Sequence, residues 1–83
     1  MREAWEISWS HPGLWAFKQL PWQAAAKVDA AVQRFAATGE GNVERVRGAP
    51  TGLWLKVPPY VVRLSSDTPS RTIVVWWIGR CWW

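Results

Sequence analysis

The sequence predicts an α+β domain, ordered β-α-α-β-β-β-β, with a twisted, mainly antiparallel sheet and a two-helix hairpin on one face. Apolar residues alternate with a period of two near the N-terminus and again after residue 43. Between these regions they recur at helical spacing, and this switch of period separates strands from helices. The length of 83 residues fits one domain, 1–83.

The first strand is predicted over residues 4–9, where Trp5, Ile7 and Trp9 alternate with polar side chains. A short helix then begins after Ser10, a good N-cap residue, and ends at Leu20.

The second helix is predicted from Trp22 to Thr38. Pro21 breaks the first helix and can precede the next one, since it lacks an N–H group. Gly39 and Gly41 end the second helix. Its apolar stripe consists of Ala25, Val28, Val32, Phe35 and Ala36.

The centre of the predicted sheet is the stretch Gly52–Leu64, which reads as two short strands joined at Pro58-Pro59. The alternation predicts a buried face carrying Leu53, Leu55, Val57, Tyr60, Val62 and Leu64. The opposite face gathers Trp54, Lys56 and Arg63. Two cations and an indole suit phosphates and bases, or an acidic protein partner.

Two further strands complete the sheet. Val43–Arg47 is the candidate strand before the central stretch, and Ser65–Ser70 is a polar turn after it. Arg71–Ile78 is rich in β-branched and aromatic residues on both faces, so we expect a central strand covered on both sides. Gly79–Trp83 is then a tail.

Composition narrows the class of protein. Ten basic residues against six acidic ones give a net charge of +4, which permits binding to nucleic acid or to an acidic partner. The longest apolar run, Ile73–Ile78, has six residues, far fewer than the roughly 20 of a membrane span. No signal-peptide core follows the first residues, and the one cysteine, Cys81, cannot form an internal disulfide. We therefore expect a cytoplasmic protein without a membrane partner.

Tryptophan is unusually abundant, with nine in 83 residues. A core this small can hide about half of them, so the others are expected to mark a contact surface.

Several motifs, in order, resemble the RelE/ParE superfamily of bacterial toxins. Residues 5–10 resemble its opening strand, and Leu20-Pro21 the break between its helices. Residues 34–43 resemble the end of its second helix. The glycine turn at Gly48, followed by alternating leucine and basic positions up to Tyr60, resembles its central hairpin. The resemblance spans nearly the whole chain.

The resemblance implies the toxin of a type II toxin–antitoxin system, neutralised by a cognate antitoxin protein. The RelE-like branch cuts messenger RNA on the ribosome without a metal, and the ParE-like branch inhibits DNA gyrase. Messenger RNA on the ribosome is therefore the expected target, with gyrase as the alternative.

Metal-free RNA cleavage needs a base for the 2′-OH proton, an acid for the leaving 5′-oxygen, and cations to stabilise the phosphorane. The expected catalytic residues are Lys56, Arg63 and Arg80. The expected RNA-binding residues are Arg45, Arg47, Trp54 and Lys56. No cofactor or metal is expected, because the single histidine, His11, and the single cysteine are far apart in the sequence.

Departures from the family pattern leave two alternatives open. Trp54 stands where RelE-like nucleases carry a basic residue, and Val61 replaces the arginine that follows the tyrosine in that family. Arg80 comes one position before the place of the family's last arginine. The terminal tyrosine is also absent. We expect a structural role for Tyr60, which falls on the buried face. The chain is then either an endoribonuclease or a non-enzymatic toxin that binds gyrase or only its antitoxin.

Overall fold

The structure, a computed structural model, describes residues 4–80. The elements are β1 (Glu6–Trp9), α1 (His11–Lys18), α2 (Trp22–Thr38), β2 (Val43–Arg45), β3 (Gly52–Val57), β4 (Tyr60–Asp67) and β5 (Thr72–Arg80). The predicted order and the predicted bounds of the second helix are confirmed. No helix within these residues is long and apolar enough to cross a membrane.

The five strands form one sheet in the order β1-β5-β4-β3-β2. β1 pairs in parallel with β5, and the other three pairings are antiparallel. β5 therefore lies inside the sheet, as predicted, between the first strand of the chain and the central hairpin.

The last two strands are longer than the sequence predicted. β4 continues to Asp67 through the expected polar turn, because Ser65 and Ser66 pair with Val74 and Ile73 of β5. β5 continues to Arg80, which pairs with Tyr60, so the tail predicted from Gly79 is strand as far as the structure describes it. The rest of that tail, residues 81–83, lies outside the described residues.

Three other elements are shorter than predicted. β1 begins at Glu6, since the amide of Trp5 donates to the carbonyl of Ala36 on α2 instead of to a strand. β2 ends at Arg45, before a turn in which Gly48 adopts a φ of 77°. α1 ends at Lys18.

The core lies between the helices and one face of the sheet, which we call the helix face. α2 buries Val28, Val32 and Ala36 there. The buried strand residues of this core are Leu55, Val62, Leu64, Ile73, Val75 and Ile78. The expected inward side chains of β1, and Tyr60, pack against this cluster. Their burial confirms the predicted alternation.

Close packing fixes α1 on β5. The Ser10 hydroxyl accepts a hydrogen bond from the Gly13 amide at 3.0 Å, which caps the helix, and donates to the Val75 carbonyl at 2.7 Å. A side chain at Gly13 would overlap that same carbonyl. The helix can approach the strand this closely because residue 13 has no Cβ.

The second face, which we call the open face, has no described helix on it. The expectation that β5 is covered on both sides is therefore wrong. Trp76 and Trp77 remain 46% and 45% exposed. The apolar residues of β5 that face away from the helices thus form part of the surface of the protein.

Candidate functional site

One row of side chains crosses the open face through Arg63. The backbone pairing places Glu44 opposite Trp54, Trp54 opposite Arg63, and Arg63 opposite Trp77. Residues opposite one another in a sheet point to the same face. The structure thus brings Trp54 and Arg63 together as the sequence predicted, and adds Glu44 and Trp77.

A β-bulge adds a third tryptophan to this face. Arg63 pairs with Trp77 whereas Leu64 pairs with Val75, so Trp76 is the extra residue of β5. Its indole Nε1 donates to the hydroxyl of Ser65 at 2.6 Å. Ser65 shares the open face with Arg63, so two successive tryptophans lie on the same side.

The indole of Trp77 is held by two neighbours. It lies over Gly79, where any Cβ would overlap the ring. Its edge meets Trp54 in a T-shaped contact, with ring centroids 6.3 Å apart and an interplanar angle of 79°. We call Trp54, Trp76 and Trp77 the indole platform.

Arg63 lies at the centre of the platform. Its guanidinium carbon is 5.4 Å from the centroid of the Trp54 ring, a cation–π distance. The guanidinium also occupies the space above Gly52, where a Cβ would overlap it. Nη1 is buried without a hydrogen-bond partner, and within residues 4–80 no carboxylate forms an ion pair with Arg63.

Lys56 lies in the next row, opposite Val61. Its Nζ is 3.6 Å from Oε2 of Glu44, and the two side chains are 25% and 67% exposed. Glu44 is not among the site residues predicted from the sequence, although its position in the middle of β2 places it on the open face. This ion pair places a carboxylate and an ammonium side by side near the platform.

The other predicted cations lie elsewhere. Arg80 pairs with Tyr60, on the helix face, and its guanidinium is 5.9 Å from the tyrosine ring. Arg80 therefore lies on the opposite face of the sheet from Lys56 and Arg63, the other two predicted catalytic residues, and the structure does not bring the three together. Arg45 is exposed and pairs with Leu53, which also belongs to the helix face. Arg47 is exposed in the turn after β2.

A groove of about 470 Å³ runs between α1 and the end of β5. Its walls include Trp15, Leu20, Tyr60, Trp77 and Arg80. Trp15 is 63% exposed and Trp22, at the start of α2, is 76% exposed. The groove therefore extends from Trp15 on α1 to Trp77 of the indole platform, and Trp22 is not among its lining residues.

The predicted structural role of Tyr60 agrees with its packing against the core. His11 is the first residue of α1 and is exposed. Within the described residues no three His, Cys, Asp or Glu side chains are grouped to hold a metal ion. Around Arg63 the open face therefore presents indoles, a guanidinium and the Lys56–Glu44 pair.

No family model and no curated protein matches the sequence. Solved structures do match the fold. Isolated Escherichia coli RelE toxin superposes with a TM-score of 0.81 at 13% identity, over 96% of this chain and 87% of that one. RelE from the RelE–RelB complex of Pyrococcus horikoshii superposes with a TM-score of 0.79 at 11% identity, over 93% and 94%.

The RelBE2 toxin–antitoxin complex of Mycobacterium tuberculosis also matches, with a TM-score of 0.70 at 14% identity, over 98% and 95% of the two chains. The α+β fold of this chain is that of the RelE structures. At these identities the similarity establishes the fold alone.

Proposed function

We propose that this chain, whose fold is that of RelE, is the toxin of a toxin–antitoxin pair and inhibits translation by cutting messenger RNA on the ribosome. The observation that supports this proposal is the superposition on E. coli RelE toxin over 96% of the chain. The net charge of +4 and the cation-bearing open face are compatible with an RNA target.

The partner proposed for the free toxin is an antitoxin protein. Three of the similar structures are toxin–antitoxin complexes of the RelB–RelE kind. This chain exposes Trp15 and Trp22 on its helices, and Trp15 lines an apolar groove. Isolated monomers rarely leave so much aromatic surface in water, so a protein that covers it is the natural occupant.

The open face contains groups for each role in metal-free cleavage. Glu44 can accept the 2′-OH proton as it stands, whereas Lys56 can do so only after leaving its ion pair and losing a proton. The Lys56 ammonium can otherwise donate a proton or stabilise the phosphorane. Arg63 lies in the neighbouring row of the open face, and RNA that contacts Arg80 as well must pass around the end of the sheet.

Primer extension on messenger RNA after induction in cells tests the proposal. We expect growth arrest, new 5′ ends within translated regions, and recovery when the cognate antitoxin is co-expressed. Arrest with intact messenger RNA and with inhibited gyrase supercoiling would refute cleavage and favour the ParE-like alternative.

A toxin that acts by binding alone is the second candidate. Trp54 covers part of the Arg63 guanidinium, and Lys56 forms an ion pair with Glu44, so neither side chain is fully exposed in this structure. Val61, where the family carries an arginine, is buried. The same experiment separates the candidates, because a binding-only toxin arrests growth without new 5′ ends.

A further inference from the structure

We propose that the indole platform of Trp54, Trp76 and Trp77 is a stacking site for an unpaired base of single-stranded RNA. Because the ligand of this site is RNA, the proposal depends on the proposed action of the protein on RNA. The three indoles lie on one face of the sheet because the bulge at Trp76 places two successive side chains on the same side of β5.

The rings are held in place before any ligand arrives. Trp76 is anchored by its hydrogen bond to Ser65, and Trp77 rests on Gly79 with its edge near Trp54. Trp76 and Trp77 nevertheless leave nearly half of their surface in water. Rigid, exposed aromatic rings bind flat ligands at low entropic cost, because few rotatable bonds need to be fixed.

The positive charge of Arg63, beside the rings, indicates which class of ligand the site binds. Arg63 has no carboxylate partner within the described residues, and its Nη1 makes no hydrogen bond. A ligand that brings both a flat π-system and negative charge satisfies the indoles and the guanidinium together. Nucleic acid has both, with bases for stacking and phosphates for the cation.

A single strand fits this site better than a duplex. Bases within a duplex are stacked on each other, and only unpaired bases can be splayed onto an aromatic side chain. Lys56 lies one row from Arg63 and can contact the neighbouring phosphate of the same RNA strand. The expected footprint is thus one stacked base with its flanking phosphates.

The decisive measurement is the binding of a short fluorescent single-stranded RNA to the purified protein, followed by anisotropy. The same RNA with one abasic nucleotide at the stacked position should bind roughly 5- to 150-fold more weakly. Trp77→Ala should lose a similar factor for intact RNA and little for abasic RNA. Trp77→Phe, which keeps a ring, should retain most of the affinity.

Trp22→Ala is the matched control, because Trp22 is the more exposed indole and belongs to α2 on the helix side. It should bind intact RNA like the parent. Equal affinity of the parent for intact and abasic RNA overturns the proposal, and this comparison needs no variant to fold.

Two further outcomes also overturn it. In one, the parent does not bind RNA while Trp77→Ala weakens the antitoxin complex, so the platform is a protein interface. In the other, a duplex binds as tightly as the single strand. Primer extension tests the proposed function separately. If messenger RNA is cut in cells while RNA binding does not depend on the base, the stacking site is refuted and the proposed function stands.

Discussion

Gly79 lies directly beneath the indole of Trp77, on the open face of the last strand. The glycine leaves room for the ring, and the ring covers a strand that no described helix protects. This relationship determines where the Trp77 ring can lie and gives a first prediction about stability.

Gly79→Ala should lower the free energy of unfolding by about 1–3 kcal/mol, because its methyl group overlaps the Trp77 ring. The thermal midpoint should fall by roughly 4–8 °C per kcal/mol in a domain of this size. If the ring is the cause, Gly79→Ala should cost much less in a Trp77→Ala background. Equal costs in the two backgrounds would show that the clash is not with Trp77.

Ser10→Ala should destabilise the protein by about 0.5–2 kcal/mol, because it removes the cap of α1. It also removes the hydrogen bond to the carbonyl of Val75. Ser8→Ala is the control, since Ser8 is exposed on β1, and it should stay within about ±0.5 kcal/mol. Urea unfolding measures both, and similar midpoints for the two variants would contradict a capping role.

Arg63 and Trp54 should be energetically coupled. A double-mutant cycle with Arg63→Ala and Trp54→Ala, followed by thermal unfolding, should give a coupling of about 0.5–2 kcal/mol from their cation–π contact. Arg63→Lys should retain only part of it, because an ammonium lacks the planar group that lies against the ring. A coupling near zero would mean that the two side chains are merely adjacent.

Lys56→Ala should abolish the growth inhibition expected from the proposed function, while shifting the thermal midpoint by only a few degrees. The removed charge belongs to a partly exposed ion pair, and such pairs contribute little to stability. Lys27→Ala on α2 removes the same charge from an exposed position outside the open face and should remain toxic.

The measurement is growth after induction at equal soluble protein level. If both Lys56→Ala and Arg63→Ala inhibit growth like the parent, the cations of the open face are only a solvated surface. The site must then lie among the tryptophans.

Tryptophan fluorescence should shift to shorter wavelength when the proposed antitoxin partner binds. Trp15 and Trp22 are 63% and 76% exposed, and an antitoxin over the helix side removes them from water. Trp15→Phe with Trp22→Phe should abolish most of that shift, whereas Trp5→Phe, a partly buried position, should preserve it. An unchanged spectrum on complex formation would exclude these residues from the interface.

Local patterns predicted much of this fold because they report burial directly. Alternation over Gly52–Leu64 assigned every side chain of the central hairpin to its correct face. The helical stripe and Gly39, which adopts a φ of 76°, gave the bounds of α2. Trp54 and Arg63 could be placed together for the same reason, since they belong to two strands joined by a short turn.

The β-bulge at Trp76 could not be predicted from the alternation of side chains along one strand. One extra residue at Trp76 reverses the alternation between Val75 and Trp77, so Arg71–Ile78 looked buried on both faces. The same shift decides that Arg80 belongs with Tyr60 and not with Lys56. Pairing with β4 fixes this register, and no pattern within β5 alone contains it.

The sequence by itself determined the order of elements, the bounds of the second helix and the two faces of the central hairpin, because these follow from short-range periodicity. Only the tertiary structure decided that Trp76 and Trp77 lie with Trp54 on the same face as Arg63 and that Glu44 pairs with Lys56. These contacts join strands whose register depends on hydrogen bonds between residues far apart in the chain. A short segment of the sequence does not determine that register.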